Sequence, residues 1–429
     1  MAFAFNSRIT STTPVKVILP FYLYAAVAFC AATVLLFFFS DSLLTHYTTP
    51  PVLGITHTLT LGWGTMVIFG ASYQLLPVLI EKPLFSNNLA YTSFVLAALG
   101  IPLLIYGFFH FDLGWPTLSG GHLVVASVLA YCANILLSVR KAQRANPHVY
   151  FVSTASCWLL LTVLLGLSLI FNFKSPIFQE SSWHYLPLHA HIGLAGWFLQ
   201  LVLGVASRLI PMFLISKYSN PRLLWITYGL LNAGLTLYVL AFYFFPSLIW
   251  YFCAVGLVLA ALLLFIYYCF TAFKSRIRKQ VEKPMIMSLF SLPASIVLFS
   301  ILLAGLSTVN SALPAETSRW VMVYGFWILL GWLTSIILGM TFKTLPFIIW
   351  NAVYHRVGYG KAPNPKDLFN EKIFAVMAGT YFVALILFSA GIWLQTIFLL
   401  KTGALLLVIT AFLYNLNIVK IITHTPKKI

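Results

Sequence analysis

The chain has 429 residues, 61% of them hydrophobic and 8% charged, with a mean hydropathy of +0.95. That composition excludes a water-soluble globular protein and a disordered chain, and describes a protein that lives in lipid. The formal net charge of +17 raises nucleic acid as a partner, but the basic residues follow the ordinary positive-inside pattern, which speaks against it.

Spanning the hydrocarbon core as a helix takes about 20 apolar residues. Twelve such segments follow in chain order, roughly 15–38, 52–79, 89–109, 117–139, 150–171, 187–214, 221–244, 247–273, 285–308, 319–350, 371–394 and 397–422. The expected fold is all-α, an integral membrane protein of twelve transmembrane helices whose first partner is the lipid bilayer. The first segment lacks a small-residue cleavage site after it and reads as an uncleaved anchor. The loops after the even-numbered segments, with both tails, hold Arg8, Lys16, Lys82, Arg140, Lys141, Arg144, Lys217, Arg222, the Lys274–Lys283 cluster, Arg356, Lys361, Lys366, Lys372, Lys420, Lys427 and Lys428. The opposite face holds Lys174, Arg319 and Lys401. This asymmetry places both termini in the cytoplasm.

The second, sixth and tenth segments repeat one pattern. His57–Pro77 reads HTLTLGWGTMVIFGASYQLLP, His191–Pro211 reads HIGLAGWFLQLVLGVASRLIP, and Phe326–Pro346 reads FWILLGWLTSIILGMTFKTLP. A Gly-Trp pair comes five and six residues after the first position, a Gly seven after the Trp, and a Pro seven after that. The copies start 134 and then 135 residues apart. The expected organisation is one membrane domain of three pseudo-symmetric four-helix units, 1–148, 149–283 and 284–429. An even number of spans per unit makes the three copies parallel. Their Gly and Pro positions read as helix packing, small residues admitting close backbones and Pro ending or kinking the span.

Five cysteines lie inside these segments and none forms a CxxC or CxxCH, so no disulfide framework or covalently held c-type haem is visible. Seven of the ten histidines, His46, His57, His110, His122, His184, His189 and His191, fall on the outer side. At His46, His110 and His184 an amphipathic interfacial role suffices. His57 and His191 differ, because they occupy the equivalent first position of two copies at nearly the same depth. Imidazole is the commonest metal ligand, and the expectation is that these two rings meet near the outer face and grip a metal centre. His189 and His191 form an HxH whose members point about 200° apart on a helix. His122, near the outer start of the fourth segment, is a further candidate ligand. Trp63, Trp197 and Trp332 read as belt aromatics or as flanks of a planar cofactor. No segment has an acidic residue in its middle, which disfavours a proton pump. Arg208 and Lys343 align with Gln74 near the cytoplasmic ends, where long basic side chains snorkel, with contact to a propionate or other anion as the alternative.

The chain resembles subunit I of the haem-copper oxidase superfamily. The run HAHIGLAGW at residues 189–197, continuing to Gly204 and Pro211, looks like the HxHxGxxGW…G…P motif of C-family oxidases and nitric oxide reductases. Residues 56–77 look like the same motif with one His. Length and layout are also similar to NnrS-like haem-copper membrane proteins. The resemblance implies twelve helices in three four-helix arcs, a bacterial inner membrane, haem b, and copper. In that family a His on the second span and the second His of an HxH on the tenth hold the low-spin haem. The first His of that HxH holds the high-spin haem, and copper takes one His from the sixth span and two from the seventh.

Here the tenth span has Tyr324 and Phe326 at the aligned positions, and the seventh has no His. Only His57 carries over in place as a haem ligand; His189 and His191 match the motif in another repeat. The ligand set of an oxygen-reducing oxidase is incomplete. The resulting expectation is a haem- or copper-binding membrane protein engaged in electron transfer, nitric oxide or oxygen binding, or metal handling, with an electron donor or respiratory subunit as partner. Its cofactor-binding residues are His57, His191 and His189, with His122 added as a metal ligand. A polytopic transporter and a metal-free accessory protein of a respiratory complex are the competing readings.

Overall fold

Lipid offers no hydrogen-bond partner to the backbone, so runs of Leu, Ile, Phe, Val and Ala in this chain close their hydrogen bonds within helices. The structure, a computed structural model, describes residues 13–142, 145–308, 314–354 and 362–425. Among these, twelve helices are long and apolar enough to cross a bilayer. They are α1 (Val15–Phe38), α2 (Pro50–Ile80), α3 (Asn87–His110), α4 (Trp115–Val139), α5 (Pro147–Lys174) and α6 (Ser182–Phe213). The second half contains α7 (Pro221–Phe244), α8 (Leu248–Lys274), α9 (Lys283–Ser307), α10 (Glu316–Tyr354), α11 (Glu371–Trp393) and α12 (Ile397–Ile422). The protein is a multi-pass, all-helical integral membrane protein; the described residues add only short 3₁₀ turns and one isolated bridge, Ser216 to Arg276.

Several helices run a few residues past the ends expected from hydropathy, and polar side chains cap the starts of three helices. Asn146 accepts a hydrogen bond from the His148 amide ahead of Pro147, which extends α5 by a turn. Asn220 accepts from Leu223 N–H, and Asn370 from the amides of Lys372 and Ile373. Each cap satisfies an N–H that the helix leaves unpaired. Arg8, Arg144, Arg356, Lys361, Lys427 and Lys428, used above for orientation, lie outside the described residues.

The chain divides into two compact units. One comprises Met1–Ile18, Phe69–Leu104 and Leu113–Gln280, so it holds the later part of α2, most of α3, and α4 to α8. Within it α4 packs on α5, α5 on α6, and α7 on α8. The repeated Gly204 of α6 lies where a Cβ would stand 2.4 Å from Phe151 Cβ, so α5 and α6 meet almost backbone to backbone.

The other unit comprises Leu19–Ile68, Ile105–Asp112 and Val281–Ile429, which includes α1, the first part of α2, and α9 to α12. Within it α9 packs on α10 and α11 on α12. At the equivalent Gly339 of α10, a Cβ would stand 2.5 Å from the Pro284 carbonyl and 2.6 Å from Ser288 N of α9. The repeated Gly is thus the crossing point of the first and second helices in two copies. The Pro seven residues on does not end its helix: α2, α6 and α10 continue through Pro77, Pro211 and Pro346.

Candidate functional site

The three helices that carry the repeated segment are the most buried of the twelve. Over its most apolar stretch, α2 is 72% buried, α6 67% and α10 72%, whereas none of the others exceeds 50%. Each also widens from α- to π-helical hydrogen bonding at the same place. The π stretches are Thr58–Thr65, Ile192–Leu199 and Trp327–Leu333, each beginning one residue after the first position of its copy. Each encloses the Gly-Trp pair. A π stretch opens carbonyls that an α-helix would close, and such stretches concentrate at functional sites.

In the third copy those carbonyls find side-chain donors. The Thr334 hydroxyl donates to Leu329 O at 2.7 Å, and the Tyr381 hydroxyl of α11 donates to the carbonyls of Leu330 and Gly331. Thr334 Oγ1 also accepts from the Trp63 indole N–H at 3.1 Å. Trp63 stacks on Phe29 at 4.5 Å and meets Tyr414 edge-on. In the other unit Trp197 lies edge-on to Phe69 and Tyr131, which stack at 3.9 Å. Trp63 and Trp197 are therefore buried in the protein among aromatic rings, Trp63 at 0% exposure, and Trp332 is buried as well. The belt assignment is corrected: a ring so enclosed does not lie at the lipid–water interface.

His57 and His191, in different units, have the same local geometry. His57 Nδ1 lies 2.8 Å from the Leu53 carbonyl, and His191 Nδ1 lies 2.8 Å from the Pro187 carbonyl, each four residues back on its own helix. A carbonyl only accepts, so Nδ1 carries the proton, and in the neutral ring Nε2 holds the lone pair. This contact fixes both tautomer and ring direction, as is usual for a histidine that ligates through Nε2. His110 and His122 make the same contact, and what sets His57 and His191 apart is their matched place just ahead of a π stretch. Each ring also meets an aromatic of the next helix, Phe108 of α3 at 4.6 Å and Tyr238 of α7 at 5.5 Å. In the third copy Phe326 stacks on Phe388 of α11 at 4.5 Å. All three copies place a ring at this position against a ring of the following span.

The HxH behaves as its spacing requires. His189 faces α5, with Nδ1 3.1 Å from the Thr162 carbonyl and Cε1 2.8 Å from where a Gly166 Cβ would stand. His191 faces α7 instead. His122 is exposed, its Nδ1 2.7 Å from the Leu118 carbonyl and its ring edge-on to Phe171. Among the described residues no three His, Cys, Asp or Glu side chains group in a way that holds a metal ion. Of the residues aligned with Gln74, Lys343 pairs with Glu282. Snorkelling alone therefore does not describe Lys343, which has an ionic partner at the head of α9.

Sequence reasoning passed over the uncharged polar residues of these helices. Gln200, Ser72 and Tyr131 are all buried, as are Thr334 and Tyr381. A glutamine inside an apolar segment was the available signal for Gln200; hydropathy alone gives none for the hydroxyls. No protein-family model matches this chain, and no curated protein matches it significantly.

Proposed function

We propose that this protein is a haem-binding membrane protein of the haem-copper oxidase type, with His57 and His191 as the residues that would hold haem iron. The observation that carries the reading is the matched lock of the two imidazoles. At the same position of two copies, Nδ1–H is tied to the carbonyl four residues back, immediately before a π stretch. An Nε2 lone pair on a ring of fixed direction is the donor that a haem iron takes. Once bound, the haem would supply a redox-active iron able to exchange an electron or take nitric oxide or oxygen. The chain's own residues would orient the imidazoles and keep water away, through Phe108 beside His57 and Tyr238 beside His191.

Copper is the weaker part of the reading, because a copper site takes two or three converging imidazoles. His189 and His191 face different helices, and His122 is exposed. The reading includes three four-helix units, cytoplasmic termini and a bacterial inner membrane, supported by the repeat and the distribution of basic residues. It leaves out complete oxygen reduction, for want of the tenth- and seventh-span histidines.

An optical spectrum with metal analysis of the gently purified protein tests it. A Soret band that disappears in His57→Ala and in His191→Ala is expected. Haem-free protein, or spectra unchanged in both variants, overturns the assignment. One observation favours a second reading, a metal-free accessory protein that kept the scaffold. Phe326 and Phe388 meet the packing demand of this position without any donor atom.

A further inference from the structure

The loop after α6, residues 214–220, and the loop after α8, residues 275–280, belong to one compact unit and are joined to each other. Ile277 N–H donates to Ile215 O at 3.1 Å, and Ser216 faces Arg276 in a short antiparallel bridge. Arg276 secures the join. Its guanidinium lies 3.9 Å over the Phe273 ring and donates to the Phe273 carbonyl at 2.7 Å. A second tie runs through Tyr268 of α8, whose hydroxyl donates to Ser207 O of α6 at 3.1 Å and whose ring meets Tyr218 at 5.2 Å. The two loops are thus held as one surface.

That surface is basic without any balancing acid. From Arg208 to Gln280 the chain has no Asp or Glu. Lys217, Arg222, Lys274, Arg278 and Lys279 are exposed, and Arg276 is half-buried. The counterpart in the third copy is balanced: Lys366 and Lys372 stand beside Asp367 and Glu371 in sequence, and Lys343 has Glu282. Membrane sorting counts Lys and Arg and is nearly indifferent to acids. It accounts for the cations of both copies, but not for the missing carboxylates of one. Apolar side chains stand among these cations. Ile277, between Arg276 and Arg278, is 60% exposed and Ile215 48%. The Lys274 ammonium lies 4.5 Å over the ring of Phe270, which is 51% exposed.

Ammonium and guanidinium groups take phosphate oxygens in charge-assisted hydrogen bonds, and basic clusters beside membrane helices collect anionic headgroups. A free anion would use the cations and leave the isoleucines in water; a molecule with phosphate and hydrocarbon together uses both. We propose that the joined loops are a docking surface for an anionic phospholipid, its phosphate held by Lys217, Lys274 and Lys279 on the frame that Arg276 fixes. Ile215 and Ile277 meet the upper part of its acyl chains. The surface is independent of the histidine reading and stands whether or not haem binds.

Thermal unfolding of the delipidated full-length protein in a neutral detergent tests the surface, with phosphatidylglycerol, phosphatidylcholine or inorganic phosphate added. Phosphatidylglycerol is expected to raise the midpoint by several degrees, and the other two to leave it near that of detergent alone. The triple variant Lys217→Gln, Lys274→Gln, Lys279→Gln should lose most of that rise. The matched control Lys366→Gln, Lys372→Gln, Lys420→Gln, three exposed lysines of the other unit, should keep it. A wild-type rise no larger with phosphatidylglycerol than with phosphatidylcholine overturns the proposal, whatever the variants' folding. So does an equal rise with inorganic phosphate, the behaviour of a soluble-anion site. Equal losses in the two triple variants also overturn it, since overall charge would then be the cause.

Discussion

His57 and Phe326 occupy the same position of the same repeated segment, and both belong to one compact unit. Each sets its ring on an aromatic of the following span, Phe108 at 4.6 Å and Phe388 at 4.5 Å. The scaffold therefore asks for a flat ring here, and Phe satisfies it. What the histidine adds is chemical: a proton tied to Leu53 O on one side of the ring and a lone pair on the other. Packing and ligation are separable at this position, and substitution can separate them.

The largest effect is expected from writing the third copy into the first. His57→Phe should keep the ring contact and the fold, and abolish the Soret band of a haem-loaded protein. A retained band with a normal melting curve would show that His57 is a packing residue only. Next comes the crossing of α9 and α10 at Gly339. Gly339→Val puts atoms into the Pro284 carbonyl and Ser288 backbone, and a forced overpacking costs about 1–3 kcal/mol. It should lower the thermal midpoint in detergent by several degrees. Gly256→Ala, with nothing within 4 Å of the added carbon, is the matched control and should leave the midpoint nearly unchanged.

A smaller effect is expected at the π stretch of the third copy. Tyr381→Phe strips the donor from the Leu330 and Gly331 carbonyls and should destabilise by about 1–3 kcal/mol. If the midpoint does not move, these carbonyls find other donors and the hydroxyl is not what sustains the widened helix. The smallest effect belongs to the reverse exchange. Phe326→His should cost about 1 kcal/mol or less, because the new ring can donate to the carbonyl four residues back as the other two do. A loss of folded protein in that variant would mean that the third copy is closed to a polar ring.

How much was legible follows from which forces are local. Twelve apolar runs declared twelve helices, because a segment that must satisfy its own backbone in lipid has little alternative. The Gly spacing declared close helix contact, and the structure places Gly204 and Gly339 at such crossings. The HxH spacing declared two directions, and His189 and His191 take them, toward α5 and α7. The repeated tryptophans were misread, since an indole near a helix end looks the same in sequence whether lipid or protein surrounds it. The prolines left ending or kinking the span open, and the helices continue through them, because neighbouring helices can hold a helix together through a Pro that would end it in isolation.

By itself, then, the sequence determined the number of membrane helices, their approximate ends, the threefold recurrence and the residue types at each recurring position. Those depend on hydropathy and spacing, which are properties of short stretches of chain. Tertiary structure alone decided that each recurring segment opens into a π stretch at the same residue, and that a ring must cover the position before it. It also decided which polar side chains end up buried. A π turn departs from regular α-helical hydrogen bonding and is rare, and in the third copy a neighbouring helix supplies donors to its carbonyls, so no reading of one segment at a time reveals it.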